Sequence, residues 1–150
     1  MSKSALEQSS RKLSAFLQWD GEVDFVGRAS FGLKAVLQGL LNRYARRVAM
    51  SPIVCQDVVS AVVSAGYEPF FIDVDPVSGE VPLNEWKRAH DAGCKIAVVV
   101  HLYGRLVNLR SVREIFASPE CLVIDDAAQA FGSTCDLGFA GTMGDVGLVS

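Results

Sequence analysis

The sequence predicts an α/β fold of three layers, a mainly parallel sheet between helices. Three observations carry this. Helical and strand patterns alternate along the 150 residues. The strands are continuous apolar runs rather than alternating ones, Lys95-Ile-Ala-Val-Val-Val-His101 above all, as suits strands buried on both faces. Half of the residues are hydrophobic and 21% are charged, a composition able to fill the core of one folded domain.

Taken in order, residues 1–20 carry a weak apolar pattern (Leu6, Leu13, Phe16, Leu17) among polar residues, a helical arm or lead-in. From Ser30 to Arg47 the residues Phe31, Leu33, Val36, Leu37, Leu40, Leu41 and Tyr44 recur at helical spacing. Val48–Ser51 reads as a short strand, and Gln56–Ala65 as a helix closed by Gly66. Pro69–Asp75 reads as a strand that leaves through a Pro-Val-Ser-Gly turn. Pro82 and Asn84 open a helix through Trp86 and Ala89, Lys95–His101 is a strand, and Asn108–Ala117 a helix. Cys121–Asp125 and Val146–Val149 complete the strands.

A net charge of -3 and a pI near 5.3 supply no basic surplus for a nucleic-acid backbone. The basic cluster Arg43, Arg46 and Arg47 reads as favourable charge at a helix C-terminus. No apolar run is long enough to span a bilayer, and Met1–Ser10 lacks the apolar stretch of a signal peptide. Cys55, Cys94, Cys121 and Cys135 lie far apart without CxxC spacing, which reads as reduced thiols of a cytoplasmic protein, with neither a disulfide framework nor a metal site.

In parallel sheets ligands collect at the carboxyl ends of the strands. The polar residues there are Ser51, Asp73, Asp75, His101 and the pair Asp125-Asp126. An Asp at such an end either caps the next helix or meets a cofactor ring nitrogen or a metal. Gly27-Arg-Ala-Ser30 opens a helix, where free N–H groups and the dipole suit a phosphate and where Ser is also an ordinary N-cap. Residues 138–147 are glycine-rich and either cradle an anion or supply positive φ angles. A lone His101 at a sharply turning strand end is more often structural than catalytic.

The order of these pieces is more specific than any one of them. Ala65-Gly-Tyr-Glu-Pro-Phe-Phe-Ile-Asp-Val-Asp-Pro76, Val100-His-Leu-Tyr-Gly104, Val123-Ile-Asp-Asp-Ala-Ala-Gln-Ala-Phe-Gly132 and Gly144-Asp-Val-Gly-Leu-Val-Ser150 together resemble the DegT/DnrJ-type aminotransferases. These are fold-type-I pyridoxal 5'-phosphate enzymes acting largely on nucleotide-linked keto-sugars. The resemblance runs from about Gly27 to Ser150 and implies residues 1–26 as an N-terminal arm and 27–150 as the N-terminal part of the cofactor-binding large domain. It implies that Asp126 pairs with the pyridine nitrogen and that Gln129 lies beside the phenolic oxygen. By the same resemblance Ala29, Ser30 and Ser150 hold the phosphate, and Cys55 stands where the family often stacks an aromatic. It further implies a nucleotide-sugar substrate, an amino donor such as glutamate, and a homodimer when intact.

Two departures accompany the resemblance. Arg28-Ala29-Ser30 replaces the commoner Ser-Gly-Thr, and the Schiff-base lysine, which in the family follows the phosphate-binding serine, is expected beyond Ser150. None of Lys3, Lys12, Lys34, Lys87 and Lys95 matches it, so the chain as given is expected not to transaminate. The alternatives are a non-catalytic remnant or interaction module, and a family dehydratase with histidine in place of that lysine. A dinucleotide-binding domain is disfavoured by the absent GxGxxG after the first strand.

Overall fold

The computed structural model describes residues 3–41 and 45–150. Five strands form one parallel sheet: β1 (Arg47–Met50), β2 (Glu68–Phe71), β3 (Ile96–Val100), β4 (Leu122–Asp126) and β7 (Val146–Leu148), in the order β2-β1-β3-β4-β7. The two short strands β5 (Thr134–Cys135) and β6 (Gly138–Phe139) pair antiparallel as a separate hairpin. The helices are α1 (Lys3–Leu17), α2 (Ala29–Gly39), α3 (Gln56–Ser64), α4 (Leu83–Asp91) and α5 (Leu109–Ile115).

Side chains alternate across each strand, and the two cores divide accordingly. Val48, Met50, Ile96, Val98, Ile124 and Leu148 face α2 and α3 and pack with Leu33, Leu37, Val58 and Val62. Ala49, Ala97, Val99 and Val123 face α4 and α5 and pack with Trp86, Ala89, Leu109, Val112 and Phe116. The continuous apolar runs in β1 and β3 follow directly, since both faces are covered. Pro69 lies within β2. It lacks an N–H and is tolerated because β2 is an edge strand, paired only to β1.

Several element bounds differ from the expectations. The helix expected from Ser30 to Arg47 closes at Gly39, where the Leu40 and Leu41 N–H groups bond back to Leu37 and Gln38 oxygens. Glycine in a helix interior costs about 1 kcal/mol relative to alanine, so this is where the helix yields although apolar spacing continues. Tyr44 and Arg43 lie outside the described residues. Arg47 is not at a helix end: it opens β1, with its guanidinium over the Phe70 ring and against Glu68. The strand expected to Asp75 ends at Phe71, and the Asp75 carboxylate instead accepts the Val77 and Ser78 N–H groups to form the turn. Helix α1 docks its end on the β5–β6 region, Phe16 stacking on Phe131 at 5.5 Å and meeting Phe139 at 5.3 Å.

Candidate functional site

The carboxyl ends of β3 and β4 carry the polar residues that sequence singled out, and the structure separates their roles. Asp125 and Asp126 are consecutive in β4 and therefore point to opposite faces of the sheet. Asp125 is fully buried on the α4/α5 side. Its Oδ2 accepts the N–H groups of Gly141 (2.8 Å) and Met143 (2.9 Å), and its Oδ1 lies 2.9 Å from His101 Nε2. His101 Nδ1 accepts the Val107 N–H at 3.0 Å, so the ring proton sits on Nε2, facing Asp125. This buried pair ties three segments together, and His101 is structural.

Asp126 is on the other face, with Ile124 and Leu148 toward α2. It is only 3% exposed, and its Oδ1 accepts the Ala128 N–H at 3.0 Å. No cation pairs with it among the described residues. Burial pushes its carboxyl above the usual Asp range, and the neighbouring Asp125 charge adds to this, opposed by the Ala128 bond. Such a carboxyl is short of a positively charged or protonated partner.

Helix α2 begins on that same face. Its N-cap, Arg28, has extended backbone and makes no side-chain cap. The Phe31 and Gly32 N–H groups bond to the Arg28 oxygen, whereas those of Ala29 and Ser30 meet no acceptor among the described residues. The first turn of α2 thus presents two free N–H groups beside the Ser30 hydroxyl. An exposed Arg28–Asp57 ion pair at 3.5 Å sets the start of α2 beside the start of α3, whose N-cap is the exposed Cys55. Sequence reasoning had not singled out this link, since nothing in the spacing of Arg28 and Asp57 marks a pair. Gln129, three residues past Asp126, is exposed and accepts the Tyr103 N–H at 3.0 Å. Ser150 is exposed two residues past β7, whose Leu148 oxygen accepts the Ala127 N–H at 2.8 Å. The beginnings of α2 and α3 are therefore side by side, while Gln129 is attached to the turn after β3.

The glycine-rich stretch resolves as a joint. Gly138 and Gly141 have φ of 125° and 89°. A Cβ on Gly144 would lie 2.7 Å from the Val123 oxygen, and one on Gly147 would strike the Gly141 carbonyl. Asp145 bonds twice to Val123, its N–H to the carbonyl oxygen and its Oδ2 from the N–H, both at 2.8 Å. These residues fasten β7 to β4.

A cavity of about 800 Å³ opens at the far end of β4, lined by Arg110, Arg113, Phe116, Cys121 and Asp145. A second, of about 200 Å³, lies at the carboxyl ends of β1 and β3 beside Ser51, Val100, Tyr103 and Arg105. Neither takes in Ser30, Asp126, Gln129 or Ser150. Among the described residues no helix is long and apolar enough to cross a membrane.

GDP-perosamine synthase of Escherichia coli O157:H7 is 30% identical to this chain over 92 residues, covering 61% of the chain and 25% of that protein. The 3-oxo-glucose-6-phosphate:glutamate aminotransferase of Bacillus subtilis (strain 168) is 29% identical over 136 residues, covering 89% of the chain and 30% of that protein. Among solved structures, the E. coli GDP-4-keto-6-deoxy-D-mannose-3-dehydratase with bound hydrated PLP has the same fold, with a TM-score of 0.85 at 17% identity over 97% of this chain and 39% of that one. The chain thus spans between 25% and 30% of the length of these two curated relatives. The family described as the DegT/DnrJ/EryC1/StrS aminotransferases matches residues 6–150, nearly the whole chain, and the chain belongs to that family.

Proposed function

We propose that these residues are the N-terminal portion of a pyridoxal-phosphate-dependent aminotransferase acting on a nucleotide-linked keto-sugar. The observation that carries the reading is Asp126: a buried carboxyl at a strand's carboxyl end, held by one backbone N–H and lacking a cationic partner. The residues fit the cofactor at both of its ends. A protonated pyridine nitrogen supplies the partner that Asp126 lacks, and a phosphate suits the free Ala29 and Ser30 N–H groups and the Ser30 hydroxyl. Bound there, pyridoxal phosphate supplies an electron sink for a carbanion next to nitrogen. Asp126 keeps the ring nitrogen protonated, Gln129 flanks the ring's oxygen, Ser150 adds a phosphate contact, and Cys55 packs near the ring. The names of the relatives, which include a GDP-sugar synthase and a glutamate-dependent aminotransferase, support a sugar acceptor and an amino donor. Residues 27–150 are then part of the cofactor domain, and residues 1–26 an arm.

We also read the intact enzyme as cytoplasmic and homodimeric. The exposed Phe16, Phe25, Val26, Phe31 and Phe131 support a partner surface.

None of the lysines is read as the Schiff-base lysine: Lys34 lies one turn past Ser30 on α2, at the phosphate end of the reading. Lys95 precedes β3 at the end opposite Asp126, about 17 Å away at roughly 3.3 Å per residue, and Lys87 is exposed on α4. The test adds pyridoxal phosphate to the chain and to its Asp126→Ala variant. Binding weakened at least tenfold by the substitution supports the reading, and equal binding overturns it. Borohydride reduction followed by peptide mapping should find no stoichiometric lysine adduct.

A further inference from the structure

The turn after β3 has a feature that its packing does not require. Tyr103 adopts left-handed backbone, φ 55° and ψ 29°, and its side chain is 80% exposed. Gly104 follows at φ 78°. A left-handed non-glycine residue costs of order 1 kcal/mol, and its ring here buries little in return. The strained conformation does deliver one thing. It directs the Tyr103 N–H at Gln129 Oε1, 3.0 Å away and 26 positions along the chain.

The turn is held from other sides as well. His101, fully buried, accepts the Val107 N–H and faces Asp125, closing the loop at its base. Arg105 donates to the Ser78 oxygen at 2.8 Å, fastening the loop to the Asp75–Glu80 turn.

A glutamine amide has two unlike ends, an acceptor oxygen and a donor NH2. On an open surface either can turn to a ligand. With Oε1 taken by a backbone N–H, the end left is Nε2, which has no partner among the described residues.

We infer that the His101–Gly104 turn is a positioning device for Gln129: the Tyr103 amide fixes the carboxamide so that its NH2, not its oxygen, is offered to the ligand. The ligand atom it serves is then a hydrogen-bond acceptor, a hydroxyl or oxyanion oxygen. Tyr103 acts through Gln129 and is a positioning residue, while His101 holds the base of its turn. The inference rests on the proposed function only in taking that ligand to be pyridoxal phosphate.

Two measurements on the full 150-residue chain test it. The first needs no cofactor: hydrogen exchange of the Tyr103 amide by NMR. Gln129→Ala should speed exchange roughly three- to tenfold, as for loss of one hydrogen bond, while Gln129→Glu, which keeps the acceptor, should leave it slow. Unchanged exchange in Gln129→Ala overturns the inference. The second is pyridoxal phosphate binding. Gln129→Glu keeps the Tyr103 bond but removes the donor, so affinity should fall at least threefold, and the loss should persist in high salt, where long-range repulsion is screened. Equal affinity, or a loss that salt abolishes, overturns the claim that NH2 is the end offered. If wild type takes up no pyridoxal phosphate, the functional reading falls and the exchange result alone decides the inference.

Discussion

Gly144→Ala tests whether the glycine-rich stretch is a joint rather than a ligand cradle. A Cβ there would stand 2.7 Å from the Val123 oxygen, 2.9 Å from Asp125 Cβ and 3.0 Å from the Asp125 nitrogen. All three belong to β4, an inner strand paired on both sides, and none is the end of a flexible side chain. Overpacking of this kind costs about 1–3 kcal/mol. Relief by moving the loop would stretch the two Asp145–Val123 bonds, each 2.8 Å and each contributing about 0.5–1.5 kcal/mol. The sum is about 2–6 kcal/mol, a large part of the stability of a domain this size. A chain of 150 residues should lose about 4–24 °C in Tm, at about 2–4 °C per kcal/mol. Gly39→Ala is the control: nothing lies within 4 Å of its added Cβ, and as the last residue of α2 it should be neutral or gain up to about 1 kcal/mol. The assay is a urea or thermal melt of both variants. A Gly144→Ala protein melting within a degree of wild type would refute the joint.

Three other outcomes follow from the same geometry. A carboxyl whose folded pKa is raised, as burial raises that of Asp126, lowers stability above its unfolded value, and the penalty disappears as pH falls below the ordinary 3.8. Asp126→Asn should therefore melt above wild type at neutral pH, with the gap closing on acidification, and a gap that widens in acid would contradict this. His101→Ala strands the Val107 N–H and leaves Asp125 Oδ1 without its facing proton in a fully buried place, so urea denaturation should show a loss of about 2–4 kcal/mol. Iodoacetamide at mildly alkaline pH, followed by mass spectrometry, should label the exposed Cys55 and Cys135 quickly and spare Cys94 and Cys121. Burial pushes the Cys94 thiol up to about 11, and that of Cys121 also upward.

The sheet was legible because strands buried on both faces must be apolar throughout, and β3 leaves no other reading. What failed was whatever periodicity does not report. Apolar spacing runs past Gly39, so the helix was expected to continue, although glycine and the bonds back from Leu40 and Leu41 close it. Ile72 is buried like a strand residue, yet pairing with β1 stops at Phe71 because β1 itself ends at Met50. Strands of two residues, β5 and β6, have no period at all, and Phe16 could not be matched to Phe131 and Phe139 from a pattern on α1 alone.

The Gly144–Gly147 run is one of the stretches that carry the resemblance, and in the structure it works by packing and backbone hydrogen bonds. Its glycines remove Cβ atoms that would strike β4 and Gly141, and its aspartate binds the β4 backbone. The neighbouring Asp125 is of the same kind, its Oδ2 accepting two N–H groups and its Oδ1 facing His101. Of the Asp125-Asp126 pair, Asp125 lies against His101 and Asp126 has no cation paired with it among the described residues, and chain alternation decides which is which. The strand puts one carboxylate into the scaffold and the other toward α2. Asp125 and the Gly144–Gly147 joint fix the position of the β4 backbone, and that position aims Asp126. A substitution at Gly144 can therefore reach Asp126 without touching any ligand, which is why the melt of Gly144→Ala and the cofactor binding of Asp126→Ala should be measured on the same preparations.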